Sequence, residues 1–364
     1  MARKKEQESA REEVTEVGPG VLRMELPISM PGLGHVNCYA LIDGDGAAVV
    51  DPGLPGPKTW RAIKDRLRRA DLAVKHVHTV IVTHSHPDHF GGAARFAKES
   101  GAKVVAHKAF RFGPMEPEVS VEDLEAEHAA KASEEGGVES REDSGSPPIT
   151  PRQLMQRKGT PWGGEGPRPP FKTRMKWRAM RMLGRAPIFP VVTHPVKAGD
   201  RLTLAGREWQ VVHTPGHTED HVCLHDPEAK LFLAGDHVLP TITPHISGLT
   251  HYEDPLNAFF ESLDLAASIP DVECALPAHG HPFADLAGRC EAIKQHHFER
   301  LEKVRSIGSE LGPSTVEAFS QRLFRPRSWG PMADSETYAH LEHLRIAGNA
   351  ERTEDKEGRY IYAT

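Results

Sequence analysis

The chain has 364 residues, 38% of them apolar, enough for one large domain with a sizeable core and a small domain beside it. A formal net charge of -6 excludes a strong whole-molecule bias towards nucleic acid or anionic membrane, so any polyanion contact must be local. The opening MARKKEQESAREEV lacks the apolar stretch of a signal peptide and no later run reaches the length of a membrane span, so no membrane partner and a cytoplasmic location are expected.

After a polar tail over residues 1–15, GVLRMELPI, NCYALIDG and AAVVDPG read as short strands separated by Gly, Pro and Asp turns. TWRAIKDRLRRADL, from Thr59, has helical spacing, and VHTVIVTH, from Val77, is a buried-type strand. FGGAARFAKES reads as the next helix, closed by Gly101 before the strand AKVVAHK. This alternation is that of a layered α/β protein.

Composition shifts over an insertion at about 112–190. Its first half is acidic and poor in large apolar residues, which predicts a solvated excursion. Its second half, RPPFKTRMKWRAMRMLGRAP, carries seven Arg or Lys and no acid, interleaved with Phe171, Met175, Trp177, Met180 and Leu183. A lid over a site or a subunit contact, as in a homodimer, is the favoured reading; a patch for an anionic substrate is the alternative.

From residue 191, RLTLAGREWQVVHTPG and HVCLHDPEAKLFLAGD read as hairpins with turns at Ala205-Gly206 and Asp226-Pro227. A helix, the strand VECALPAHG and a long helix from about Phe283 to Leu311 follow. On the last of these Leu286, Cys290, Ile293, His297, Leu301 and Val304 form one apolar stripe. Gly312-Pro313 ends it, and two short helices and a two-stranded ribbon complete a winged-helix outline, with Ser314 and Asp334 as N-caps and Gly348 as a C-cap. Four scattered cysteines, Cys38, Cys223, Cys274 and Cys290, have no paired spacing and are expected to be buried free thiols.

The densest chemistry is THSHPDH at 83–89. His84 and His86 fall on the loop after a strand, while Asp88 and His89 open a helix, so four ligand-type groups face one pocket at a strand end. Imidazole and carboxylate suit zinc, with iron or manganese as alternatives, and the lack of thiolate argues against a closed structural zinc site. The bland reading is a set of polar loop groups at a helix start. Against it, His217 in HTPGHTEDH, Asp236 in LFLAGDH and His279 in ALPAHGHP each follow an apolar strand at a Gly or Pro turn, where all three can reach the same sheet end.

With these residues in order, the chain from residue 18 to about 300 resembles the metallo-β-lactamase-fold hydrolases, in the branch that includes glyoxalase II. The resemblance implies an α/β fold, a four-layer αββα sandwich, over residues 16–300, with the small winged-helix-like domain at 301–364. It also implies two divalent metal ions: His84, His86 and His217 around one, Asp88, His89 and His279 around the second, and Asp236 bridging. Asp51, in VVDPG, matches a further family motif that supports the ligands from behind. His281 is the register competitor of His279. With seven ligands assigned, His213, His221, His225, His237, His245, His251 and His281 are expected behind the ligands or at the surface.

The implied activity is a metal-dependent hydrolase in which a metal-bridging hydroxide cleaves a thioester or ester of a small molecule, as in hydroxyacylglutathione hydrolysis. Asp88 is the candidate proton relay, and no G-x-S-x-G elbow competes for the role of nucleophile. Tyr252 is a candidate substrate contact on the loop after Asp236, with a surface tyrosine as the bland alternative. A β-lactam substrate is disfavoured, because dinuclear lactamases of the superfamily usually carry Cys at the place of Asp236. The alternative enzyme is an endoribonuclease acting on single-stranded RNA. It is not favoured, since residues 313–364 hold seven Arg or Lys against eight Asp or Glu. A metal-containing DNA-binding regulator is the reading from outside enzymes.

Overall fold

The computed structural model describes residues 4–30, 32–44, 46–111, 159–163, 175 and 189–364. The acidic half of the insertion and nearly all of the basic half lie outside the described residues. Two compact units divide the chain: among the described residues the first holds 4–111, 175, 189–244 and 259–296, and the second 159–163, 245–258 and 297–364.

The first unit contains two sheets. One has seven strands adjacent in chain order: β1 (Val14–Gly18), β2 (Val21–Met30), β3 (Leu33–Asp43), β4 (Gly46–Val50), β5 (Val77–Ile81), β6 (Lys103–His107) and β7 (His194–Val196). The meander β1 to β4 is antiparallel, and β4 to β7 are parallel. The other comprises β8 (Arg201–Leu204), β9 (Arg207–His213), β10 (Val222–Asp226), β11 (Leu231–Gly235) and β12 (Cys274–Pro277), ordered β12-β11-β10-β9-β8. Ala205 and Gly206 both take positive φ in the β8–β9 turn, as a tight hairpin requires.

Period-two alternation assigns each strand face. Tyr39, Leu41, Ala48, Val50 and Ile81 from the first sheet pack with Trp209, Val211, Leu224, Leu233 and Leu276 from the second, forming the core between the sheets. The opposite face of the first sheet sends Leu26, Val36, Val49, Val80 and Val104 against Trp60, Ile63 and Leu67 of α1 (Pro57–Arg69) and Phe96 of α3 (Ala93–Ser100). Parts of α4 (Pro255–Ser268) and α5 (Leu286–Leu311) make the other outer layer, with Phe259, Leu263, Cys290 and Ile293 buried and Lys294 paired to Asp264 at 2.6 Å. The layers are those of the expected four-layer αββα sandwich.

Three local expectations change. First, the helix expected through 88–100 is broken into α2 (Pro87–Phe90) and α3. A Cβ on Gly91 would lie 2.1 Å from Pro55 N, and one on Gly92 2.6 Å from Pro52 O, so the chain here presses against the turn after β4. Gly91→Ala is therefore expected to destabilise the unit by about 1–3 kcal/mol, the usual cost of overpacking, read from a denaturant midpoint. Second, the polar start is anchored at Glu6, which is buried and accepts from Thr241 N at 2.7 Å and Ile242 N at 3.1 Å, and β1 begins at Val14. Third, the caps near the C-terminus shift. Thr315, not Ser314, accepts from Ala318 N at the start of α6 (Val316–Leu323), and Asp334 sits in the first turn of α7 (Pro331–Ile346), behind Gly330 and Pro331.

Gly348 does close α7 with φ 74. In the second unit β13 (Ser314–Thr315), β15 (Tyr360–Ala363) and β14 (Glu351–Glu354) form a three-stranded sheet in that order. The expected stripe of α5 is buried throughout, from Leu286 to Val304.

Candidate metal centre

Strands β4, β5, β9, β11 and β12 all end at one edge of the sandwich, and each is followed by a residue of the candidate site. Ligand-type atoms fall into two groups, His84, His86, His217 and Asp236 in one and Asp88, His89 and His279 in the other, each group within 4.8 Å. In the first, His84 Nε2 is 2.9 Å from His86 Nδ1, which is 3.1 Å from His217 Nε2. Asp236 reaches across both: its Oδ2 is 3.5 Å from His89 Nε2, 3.7 Å from His217 Nε2 and 3.9 Å from His84 Nε2, and its Oδ1 is 3.4 Å from His279 Nε2. Asp88 Oδ2 lies 3.5 Å from His279 Nε2 and 3.7 Å from His89 Nε2.

Local sequence explains the presentation. His86 is extended at the N-cap of α2, and Pro87 at the first helical position pre-sets the turn that turns Asp88 and His89 inward. Phe90, fully buried in the outer core, holds that short helix down.

The far side of each ring decides which nitrogen faces the centre. Asp51 accepts from His89 Nδ1 at 2.8 Å, from Thr83 N at 2.9 Å and from Thr83 Oγ1 at 2.8 Å. His279 Nδ1 donates to the His35 carbonyl at 2.7 Å. Each Nδ1–H so engaged aims Nε2 inward, where the neutral ring offers its lone pair to a ligand. His221, buried 5.0 Å ring to ring from His84, accepts from Asp236 N at 3.0 Å through Nε2, so its Nδ1 carries the proton given to Thr214 Oγ1 at 2.8 Å.

A divalent cation fits this arrangement. His89 Nε2, His279 Nε2 and Asp236 Oδ1 are buried and have no hydrogen-bond partner among the described residues, a costly state unless a ligand satisfies them. Nitrogen and oxygen donors of this kind hold a divalent metal.

Electrostatics point the same way. Burial disfavours the His84 cation, and neighbouring His89 and His86 push its pKa further down. For His279 burial also opposes the charge, but Asp236 and Asp88 outweigh it and raise the ring to about 10; for His89, Asp236, Asp51 and Asp88 together raise it well above its ordinary value. Asp88, despite burial, is held ionised at about 2 by His89 and His279. Protons on these rings occupy the place of a cation.

All seven expected ligand residues are thus brought together, with Asp51 behind them. His281 stays out: its Nε2 donates to Glu8 at 2.9 Å and its Nδ1 accepts from Arg11 at 2.8 Å, so both nitrogens are engaged elsewhere. His213 stacks on His107 at 4.0 Å, and His225 and His237 are buried. His245, His251 and Tyr252 fall in the second unit. Thr83, His35 and Ser85, whose Oγ donates to Asp220 at 3.0 Å, went unread in the sequence. Thr83 had one signal, its place directly before the first ligand.

A metallo-beta-lactamase superfamily model matches residues 31–279, and the chain belongs to that superfamily. It is a metal-dependent hydrolase. Its relatives include a probable metallo-hydrolase, YqjP, of Bacillus subtilis, 24% identical over 89% of this chain and 91% of that protein. A hydroxyacylglutathione hydrolase of Rhizobium meliloti is 29% identical over 35% of this chain, and the match spans half of that enzyme's length. Among solved structures, the metallo-beta-lactamase family protein TTHA1429 of Thermus thermophilus matches with a TM-score of 0.70 at 28% identity, covering 95% of this chain and 98% of that one. A beta-lactamase domain protein of Burkholderia ambifaria matches at 0.68 and 25%, covering 98% and 96%. Among the described residues no helix is long and apolar enough to cross a membrane.

Proposed function

We propose that the chain holds two divalent ions and hydrolyses a thioester or ester of a small molecule, with hydroxyacylglutathione as the model of the substrate class. The carrying observation is that Asp236 reaches both groups, with its buried Oδ1 lacking a hydrogen-bond partner among the described residues. His84, His86 and His217 would hold one ion and Asp88, His89 and His279 the other, with Asp236 between. Donors of nitrogen and oxygen favour zinc, with iron or manganese as alternatives.

When bound, such a pair supplies a water of lowered pKa and polarises the scissile carbonyl. Asp88 keeps its carboxylate ionised beside the reacting centre, where it accepts a hydrogen bond and relays a proton outward without retaining it. Asp51, Thr83 and the His35 carbonyl keep the rings from rotating. The carboxylate at 236 and the partial likeness to hydroxyacylglutathione hydrolases support an acyl substrate over a β-lactam.

Residues 301–364 are read as winged-helix-like, from the run β13, α6, α7, β14 and β15, and as a packing module given their near-balanced charge. All four cysteines are free, which supports a cytoplasmic setting.

The test is a screen of metal-analysed protein against glutathione and CoA thioesters, lactones, phosphodiesters and single-stranded RNA. Thioester turnover that disappears in His84→Ala is expected; cleavage of RNA alone would overturn the acyl reading. A pH dependence follows as well. The metal needs neutral rings, and His279 stays protonated up to about 10 in the metal-free protein, so metal uptake must expel protons. Affinity should rise with pH towards that value, by about tenfold per unit for each proton displaced. Calorimetry in buffers of different ionisation enthalpy should register proton release, and binding without it would contradict the assignment.

A further inference from the structure

Arg23 is only 5% exposed, an expensive place for a guanidinium. Its Nε donates to Asn37 Oδ1 at 2.9 Å, its Nη2 donates to the Gly280 carbonyl at 2.7 Å and pairs with Glu25 Oε1 at 2.8 Å, and its Nη1 lies 3.3 Å from His281 Nδ1. Asn37, its amide oriented by that first bond, donates Nδ2 to the same Gly280 carbonyl at 2.9 Å and to the Pro277 carbonyl at 2.8 Å. Tyr39 Oη donates to Pro277 O at 2.7 Å, and Asn37 N to Ala278 O at 2.7 Å.

Apart from the Arg23 bonds to Asn37 and Glu25, each of these contacts lands on residues 277–281, the turn that carries His279. Gly280 takes φ +82 there, with Pro240 Cγ only 2.7 Å from where a Cβ would stand, so the turn has no slack on its other side. None of the Arg23 bonds touches His84, His86 or His217.

We propose that Arg23, working through Asn37 and the Gly280 carbonyl, is a positioning residue for one half of the metal centre, the half made by Asp88, His89 and His279. Glu25 is its charge partner, and Arg11 completes Glu25 with bonds from N at 2.7 Å and Nε at 3.0 Å. A buried ion pair of this kind contributes little net stability, whereas directional bonds from a planar five-donor group fix a backbone turn in place. The inference rests on the two-ion reading above.

The experiment measures zinc stoichiometry and stepwise affinity by chelator competition, with cobalt substitution as a spectroscopic check on each half. Because Arg23→Gln alone leaves the buried Glu25 with Arg11 as its remaining charge partner, the working variant is Arg23→Met with Glu25→Met, and Arg23→Lys is the conservative comparison. The wild type should take up two ions. The double variant should hold one at wild-type affinity and the other about 10- to 100-fold more weakly, the usual effect of losing a group that supports a ligand. Lysine, unable to reach Asn37 and Gly280 together, should not restore the second ion. A general loss of stability would weaken both ions equally and overturn the inference, as would two ions at unchanged affinity. A wild type that binds fewer than two ions would overturn the two-ion reading, and the inference with it.

Discussion

Asp236→Ala is expected to abolish turnover while leaving a folded chain. Its carboxylate is the one group in the cluster that reaches both sets of imidazoles, lying within 3.4–3.9 Å of His84, His89, His217 and His279. Burial opposes its ionisation, yet His279 and His89 hold its pKa well below the ordinary value, so the side chain is an anion at every working pH. Removing it deletes the charge that offsets a pair of cations at close range. Metal ions supply several kcal/mol of stabilisation to such reactions, and about 4 kcal/mol corresponds to roughly a thousand-fold in rate. The expected readings are a fall in kcat/KM of at least about that size, a metal content below two, and a circular dichroism spectrum like that of the wild type. Asp236→Asn, which keeps the shape without the charge, should resemble the alanine variant in metal content. Full turnover with two ions in either variant would end the proposal.

Asp51→Ala should damage both stability and metal binding. Its carboxylate takes three bonds, from Thr83 N, Thr83 Oγ1 and His89 Nδ1, and all three donors are buried. Each donor left unpaired costs about 1–3 kcal/mol, so a loss of about 3 kcal/mol or more is expected from denaturant unfolding. Asp51 also takes φ 52, a left-handed conformation that aspartate tolerates better than alanine. With its anchor gone the His89 ring can turn, and affinity for the ion it holds should fall about 10- to 100-fold. Asp51→Asn keeps an acceptor for Thr83 N and should recover part of the stability but not the affinity. Wild-type affinity in Asp51→Ala would show that His89 needs no anchor.

Much of the site was legible because its chemistry demands particular residue types at particular places. A strand end followed by His or Asp at a Gly or Pro turn occurs at His84, His217, Asp236 and His279, and the apolar β-type run before each is strong enough to mark the strand. The two sheets were legible for the same reason, since Tyr39, Leu41, Val211 and Leu233 alternate with residues on the opposite face. Less legible were the breaks: nothing local marks Gly91 and Gly92 as a contact with Pro52 and Pro55, because the neighbour lies more than thirty residues away in the chain. The caps differ from expectation by one residue at Thr315, which stands beside Ser314, and by four at Gly330, where Pro331 opens the helix and Asp334 falls in its first turn.

By itself, the sequence determined which side chains are available to grip a cation, since ligand chemistry is a property of the residue type. Only the tertiary structure decided how they are aimed. That His279 and not His281 enters the centre follows from Glu8 and Arg11 engaging the latter ring, and that Nε2 of His279 faces inward follows from a bond to the carbonyl of His35. Backbone carbonyls are the same in every residue, so no sequence pattern marks the ones that orient a ligand. Their positions exist only once the two sheets have packed.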